Sequence, residues 1–243
     1  MHHTRLHFPS IDSTHAYALA HADELAQGAI ITADVQTDGV GRAGRTWVSG
    51  ESDSLLLSLV LKDATDPDAA KLLTPIMALA ALRLLAEFGV EARIKWPNDV
   101  IVRDKKCAGI LSTSAYVGDA IAHVVVSIGL NVTQKTDALA AIDIPATSLG
   151  VETGAERTPD ALLEPLMAQF DALYEAYNEE GFAPLLTEWR AAQLLMGKKV
   201  GLKLGNEQVE GEVTAFGDDG TIELTLSNGE KNAYQMGEVV KVF

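Results

Sequence analysis

Apolar positions along the chain follow two rhythms, one for strands and one for helices. Ile30 to Val35 mixes β-branched with short polar residues, which predicts a half-buried strand emerging at Gln36 and Thr37. Ser54 to Leu61, SLLLSLVL, is apolar almost throughout, the texture of a strand covered on both faces. Leu6 and Phe8 predict a short leading strand before Pro9. Ile11-Asp12-Ser13-Thr14 then sets up a helix with Ser13 or Thr14 as its cap, Ala16, Tyr17, Leu19 and Ala20 as its buried side, and Gly28 beyond its end. From Pro67 to Phe88 the pattern is helical. Two pieces are expected there, because Pro75 suits the first turn of a helix better than its interior. Ile76, Leu79, Ala80, Arg83 and Leu84 fall at helical spacing, and Gly89 supplies the stop.

Arg93 to Trp96 reads as a short strand stopped by Pro97. Asp99–Val102, a turn at Arg103–Lys105 and Cys107–Leu111 form a hairpin whose second arm opens with Lys106, and Ala122–Ile128 is a further buried strand closing at Gly129-Leu130-Asn131. Thr158 and Pro159 open a long amphipathic helix with Leu162, Leu163, Leu166, Phe170, Leu173 and Tyr177 as its stripe, ended by Gly181. A short helix carries Leu185, Leu186 and Trp189. After Gly197 short alternating strands take over, with turns at Gly205-Asn206, Gly217–Gly220 and Ser227-Asn228-Gly229. The expected architecture is α/β, a mixed sheet flanked by helices over residues 1–195, followed by a small β-barrel over 196–243. A barrel that small is marginal alone and is expected to pack on the larger unit.

The formal charge of −15 argues against nucleic acid as the main partner, since phosphate neutralisation dominates such binding. Yet Arg93, Lys95, Arg103, Lys105 and Lys106 cluster, as do Arg42 and Arg45, and local positive potential in an acidic chain points to a small anionic ligand. The single cysteine, Cys107, excludes an internal disulfide and fits a cytoplasmic setting. Neither a signal peptide nor an apolar run long enough to span a membrane is present.

The most informative stretch is Gly39 to Trp47, GVGRAGRTW. Its glycines permit positive φ and close approach, and Arg42 and Arg45 add planar donor forks, a combination suited to phosphate. Gly39, Gly41 and Gly44 also spell a dinucleotide fingerprint. The context fails it: no helix pattern follows, and Leu59 stands where an acidic residue is needed about 20 positions on.

Together with KWPNDVIVRDKKCAGIL and SIGLNV, this loop resembles the signature set of biotin protein ligases: G-R-G-R-x-G-R-x-W, K-W-P-N-D with a lysine downstream, and G-x-G-x-N. Asp12-Ser13-Thr14, Ala146-Thr147-Ser148-Leu149 and Met236-Gly237-Glu238-Val239 resemble further family segments, in the family's order. The resemblance implies a fold like that of class II aminoacyl-tRNA synthetases and biotin ligases with a C-terminal SH3-like barrel. It implies an ATP-dependent ligase forming biotinyl-5′-AMP and passing biotin to a lysine of a biotin carboxyl carrier protein. Lys106 and Arg42 are then catalytic. Ser13, Thr14, Gln36, Gly39, Gly109 and Gly129, with Lys106, are expected around biotin. Arg42, Arg45, Trp47, Lys95, Asn98, Asp99 and Asn131 are expected around the nucleotide, with Mg2+ arriving on the ATP phosphates rather than on a protein cage.

No membrane or nucleic-acid partner is expected. No helix-turn-helix pattern precedes the catalytic region, so operator binding is not anticipated, and a homodimer is compatible with the resemblance. Four departures from the family pattern stand out: His15 for asparagine, Val40 for arginine, Thr113 for an acid, and Ser127 for the first glycine of G-x-G-x-N. They leave a lipoate or octanoate ligase, or a biotin-binding regulatory module without turnover, as alternative readings.

Overall fold

The computed structural model describes residues 1–64, 66–140 and 144–243. A seven-stranded sheet runs in the order β1-β2-β3-β7-β6-β5-β4, built from β1 (Arg5–Ile11), β2 (Ile30–Gln36), β3 (Ser54–Leu61), β4 (Arg93–Lys95), β5 (Asp99–Val102), β6 (Lys105–Val117) and β7 (Ala120–Asn131). β1 and β2 are parallel, joined through helix α1 (Thr14–His21), and every other pairing is antiparallel. Every residue of β3 is buried, as its continuous apolar run predicts. β1 is longer than expected and runs through Pro9. It is an edge strand, where a missing N–H costs nothing on the open side.

In α1, Ser13 is the cap, its hydroxyl accepting from Ala16 N at 3.3 Å. The buried side is Thr14, His15 and Ala18, whereas Ala16 and Ala20 are exposed. The polar residues won because they meet other polar residues beneath the helix. α2 (Pro67–Glu87) is one helix with Pro75 inside, not two. An interior proline costs roughly 3 kcal/mol. Here Leu73, Ile76, Met77, Leu79 and Leu84 are fully buried and hold the helix together across the lost hydrogen bond. The β5–β6 turn is two residues, Arg103 (φ 47°) and Asp104 (φ 63°), both in the left-handed region a tight hairpin requires. β6 runs past its expected end at Leu111 to Val117, and β7 extends its expected span at both ends, from Ala120 to Asn131.

Two short helices, α3 (Thr136–Ala140) and α4 (Leu149–Thr153), lead to a 3-10 turn at Pro159–Leu162 and then α5 (Leu163–Glu180), which packs on α2, and α6 (Ala183–Ala191). The C-terminal strands, β8 (Lys199–Leu204), β9 (Glu207–Phe216), β10 (Ile222–Leu226), β11 (Lys231–Tyr234) and β12 (Glu238–Val242), form one antiparallel sheet in the order β11-β10-β9-β8-β12. Its ladder stays open, with β11 and β12 at opposite edges, so the expected barrel is an open sheet in hydrogen-bonding terms.

This sheet does not form a separate core. Val200, Phe216, Ile222 and Leu224 belong to the same apolar cluster as α2 and α5. Phe216 meets Trp189 of α6 edge-on at 5.7 Å between ring centres, and Trp96 Nε1 donates to Gly220 O at 3.0 Å. No helix among the described residues is long and apolar enough to cross a membrane.

Candidate active site

The glycine loop between β2 and β3 closes on itself. Trp47 N donates to Gly39 O at 2.8 Å and Gly41 N to Arg45 O at 2.7 Å, and the fold is completed by a bridge between Val40 and Thr46. Gly39 is required by this closure, since a side chain there would start 2.5 Å from Trp47 O. Arg42–Gly44 makes only a single 3-10 turn, so no helix opens in the loop and a dinucleotide site lacks its anchor.

Closure lays the Trp47 indole across two central strands. It lies against Gly129 of β7 and Gly109 of β6, which face each other in register. Its Nε1 is buried without a partner among the described residues. Lys106 stands beside the ring, its Nζ 5.6 Å from the ring centre and 2.7 Å from Asp99 Oδ1. The β5–β6 register shifts between Val100 and Ile101, a bulge next to the residues that carry this pair. Main-chain bonds from Lys106 N to Pro145 O and from Thr147 N to Lys106 O fix the backbone behind the side chain.

Arg42 enters from the loop. Its Nη1 donates to Asn98 Oδ1 at 3.1 Å and its Nη2 to Gly237 O of the C-terminal sheet at 3.4 Å. Asn98 is itself held by Ile110 O. Burial lowers the pKa of Arg42, opposed by Asp99 and aided by Arg45, yet a guanidinium remains charged at neutral pH. Arg45 pairs with Glu238, so both loop arginines reach the segment around Gly237.

A polar row, most of it buried, runs from Gln36 to Thr113 along the cavity that Trp47 lines. Thr14 N and Oγ1 both donate to Gln36 Oε1, at 2.8 and 2.9 Å. Ser58 Oγ donates to Thr14 Oγ1 at 2.9 Å and lies 2.7 Å from Ser127 Oγ. Ser127 Oγ is 2.7 Å from His15 Nδ1, and His15 Nε2 is 2.9 Å from Thr113 Oγ1. Burial lowers the His15 pKa to about 4, leaving the imidazole neutral.

Thr14, Gln36, Arg42, Trp47, Asn98, Lys106, Gly109 and Gly129 line one cavity, joined by His15 and Ser127. Arg42 and Lys106, predicted from separate motifs, thus share a single space. Asp99 meets it through Lys106. Other expected residues lie outside the lining: Ser13 is the helix cap, Gly39 sits beneath the loop, and Arg45 is exposed. Lys95 faces Asp99 in the β4–β5 pairing. Asn131 points elsewhere, donating to Thr147 O and accepting from Gln134 Nε2. Sequence reasoning did not foresee Gly237 as a partner of Arg42. The family-like segment Met236–Val239 was its only signal.

The cavity holds about 60 Å3 of free space, far below the roughly 300 Å3 or more of a small-molecule site, because the indole fills it. A larger cavity of about 850 Å3 opens elsewhere, among Arg5, Asp34, Gln134, Lys135 and Arg157. None of the predicted site residues lines it, and Leu56 is shared by both.

Residues 7–131, which hold most of the seven-stranded sheet, match the model of the biotin/lipoate A/B protein ligase family. The chain is 34% identical over 221 residues to a biotin–[acetyl-CoA-carboxylase] ligase of Paracoccus denitrificans, covering 88% of this chain and 90% of that protein. It is 30% identical over 215 residues to the bifunctional ligase/repressor BirA of Bacillus spizizenii, covering 86% of this chain but 65% of that relative's length. Among solved structures, the biotin protein ligase from Aquifex aeolicus in complex with biotin and ATP superposes with a TM-score of 0.81 at 25% identity, covering 96% of both chains.

Proposed function

We propose that this chain, which belongs to the biotin/lipoate A/B protein ligase family, is an ATP-dependent biotin protein ligase that builds biotinyl-5′-AMP and passes the biotinyl group to a carrier lysine. The observation that carries the reading is that Arg42 and Lys106 line one cavity together with Thr14 and Gln36. An acid must be brought against a polyphosphate in such a reaction. Two like charges about 4 Å apart repel by roughly 4 kcal/mol at an effective dielectric of 20. A fixed ammonium and a fixed guanidinium cancel that repulsion without reorganising as charge moves.

In the first step a carboxylate oxygen of biotin bonds to the α-phosphorus of ATP and the bond to the β-phosphate oxygen breaks, releasing pyrophosphate. Lys106, steadied by Asp99, holds the carboxylate and the non-bridging phosphate oxygens together, and Arg42 takes the phosphate from the loop side. Lys95, Arg45 and Asn98 add charge and a hydrogen-bonding amide nearby. In the second step the neutral amine of a carrier lysine attacks the acyl carbon, forming an amide and expelling AMP. Mg2+, when carried in on ATP, would supply charge neutralisation at the triphosphate. The cavity presents cationic and amide groups, with Asp99 already paired to Lys106, which fits an ion carried in on phosphate oxygens.

Trp47 must leave Gly109 and Gly129 for biotin to enter, and the loop then recloses over the mixed anhydride to exclude water. Ser13, Thr14, Gln36, Gly39, Gly109 and Gly129 belong to the biotin side. Asn131 and Trp47 belong to the nucleotide side, Asn131 only after exchanging its bond to Gln134. We assign residues 1–195 to catalysis and 196–243 to a supporting sheet that anchors Arg42 and Arg45. The acceptor is a biotin carboxyl carrier protein.

Pyrophosphate exchange into ATP tests this directly. Exchange that depends on biotin and is absent with lipoate or octanoate is expected. Exchange with lipoate or octanoate and none with biotin would move the assignment to another acyl chain.

A further inference from the structure

Three of the four positions that depart from the family pattern, His15, Thr113 and Ser127, are hydrogen-bonded to one another in a single row. The direction of every proton in that row follows from its other end. Thr14 N can only donate, so the atom of Gln36 it meets is the carbonyl oxygen. Thr14 Oγ1, also against that oxygen, must spend its one proton there. Ser58 therefore donates to Thr14, and Ser127, 2.7 Å from Ser58, must donate to Ser58. With its proton spent, Ser127 can only accept from His15, which fixes the neutral imidazole with its proton on Nδ1. His15 Nε2 then accepts from Thr113.

Two groups on the cavity wall are defined by this logic. Ser127 Oγ keeps one lone pair and no proton to give. The Gln36 amide NH2 has no acceptor among the described residues. The wall thus offers an acceptor at Ser127 and a donor at Gln36, a pattern that suits a ligand carrying an N–H next to a carbonyl.

We propose that Ser127 is a specificity-determining residue that accepts a hydrogen bond from a ureido N–H of the ligand, and that His15 is the positioning residue that keeps Ser127 an acceptor. The inference rests on the biotin reading given above for its ligand, but not for the proton order of the row. Where the family pattern has glycine and leaves main chain exposed, this chain has added an oxygen whose hydrogen is turned away from the cavity.

Two measurements separate the parts. Nitrogen-15 NMR of the intact protein should show His15 as the Nδ1–H tautomer at neutral pH. The Nε2–H tautomer would overturn the row irrespective of any ligand. In steady-state adenylation, Ser127→Ala should raise the KM for biotin about tenfold, the loss of one hydrogen bond, with kcat within about twofold. Biotin methylated at each ureido nitrogen in turn should bind the wild type more weakly at one of them, and that difference should vanish in Ser127→Ala. His15→Phe should raise KM similarly. His15→Asn, whose amide nitrogen can reach Ser127 in place of Nδ1, should restore it. An unchanged KM in Ser127→Ala, or an equal methylation penalty in both proteins, would refute the role of Ser127. Failure of the wild type to use biotin at all, with the expected tautomer present, would instead refute the biotin reading.

Discussion

Gly129→Ala adds one methyl group at the point where the loop meets the sheet. The new Cβ would lie 2.4, 2.7 and 2.8 Å from Cε2, Cζ2 and Cδ2 of Trp47, whereas carbon atoms settle at about 3.5–4.0 Å. Something must therefore retreat by roughly 1 Å. β7 cannot, because Gly129 is paired to Leu56 on one side and Gly109 on the other. The loop can, since Ala43 to Thr46 are exposed, their main-chain bonds run within the loop, and the Arg45 side chain is held to the C-terminal sheet by a surface pair with Glu238. Overpacking of this kind costs about 1–3 kcal/mol. A half-buried indole contributes a similar amount, since full burial of 150–250 Å2 is worth roughly 4–6 kcal/mol at 25 cal/mol/Å2. The two are close enough that the indole should swing out. Acrylamide quenching reads this cleanly, because Trp96 and Trp189 are each 2% exposed and any new quenchable fluorescence belongs to Trp47. The thermal midpoint should fall by about 4–8 °C for a loss of roughly 2 kcal/mol in a chain of this size. In a Trp47→Ala background the same methyl should cost almost nothing. If the loss persists there in full, or quenching does not change, the clash is not with Trp47 and the account of the closed loop is wrong.

Lys106→Ala should lower biotin-dependent pyrophosphate exchange by roughly 100-fold or more, and wild-type exchange in that variant would remove Lys106 from the mechanism. Arg42→Gly should still form adenylate but release it, measured as free biotinyl-5′-AMP passing a filter that retains protein. His15 has a folded pKa of about 4 against 6.5 for the free side chain, so the unfolded chain takes up a proton first as pH falls. Stability should therefore drop between pH 6.5 and 4 by about 3 kcal/mol more in the wild type than in His15→Asn; equal slopes in urea titrations across that window would contradict it. Phe216→Ala should cost about 3–5 kcal/mol and still give one calorimetric transition, because the C-terminal sheet shares its core with α2 and α5; two separated transitions would mean that the sheets unfold independently.

What the sequence disclosed and what it withheld divide by distance along the chain. The strands β2 and β3, the hairpin and the cationic loop were legible because their patterns are contiguous: SLLLSLVL carries its own burial, and GVGRAGRTW its own turn. Pro75 misled because local propensity favours a break there, whereas the packing that overrides it comes from the sheet and α5. Asn131 was legible in its place but not in its direction. Its place at the end of β7 was foreseen, but the direction of its side chain is set by Gln134 and Thr147.

The departures at His15, Thr113 and Ser127 are the most instructive case. Taken singly, each looks like damage: a ring in place of a small amide, a hydroxyl in place of an acid, a side chain where glycine lets a ligand approach. They lie up to 112 positions apart, and no local pattern links them. In the fold His15 takes the other two as partners, Ser127 at Nδ1 and Thr113 at Nε2, so the cost of burying the imidazole is met by both. Reverting Ser127 alone to glycine should therefore be worse than leaving all three, since it strands the His15 Nδ1 donor. Three departures that satisfy each other describe a pocket rebuilt around a different hydrogen-bond pattern, not one losing its function.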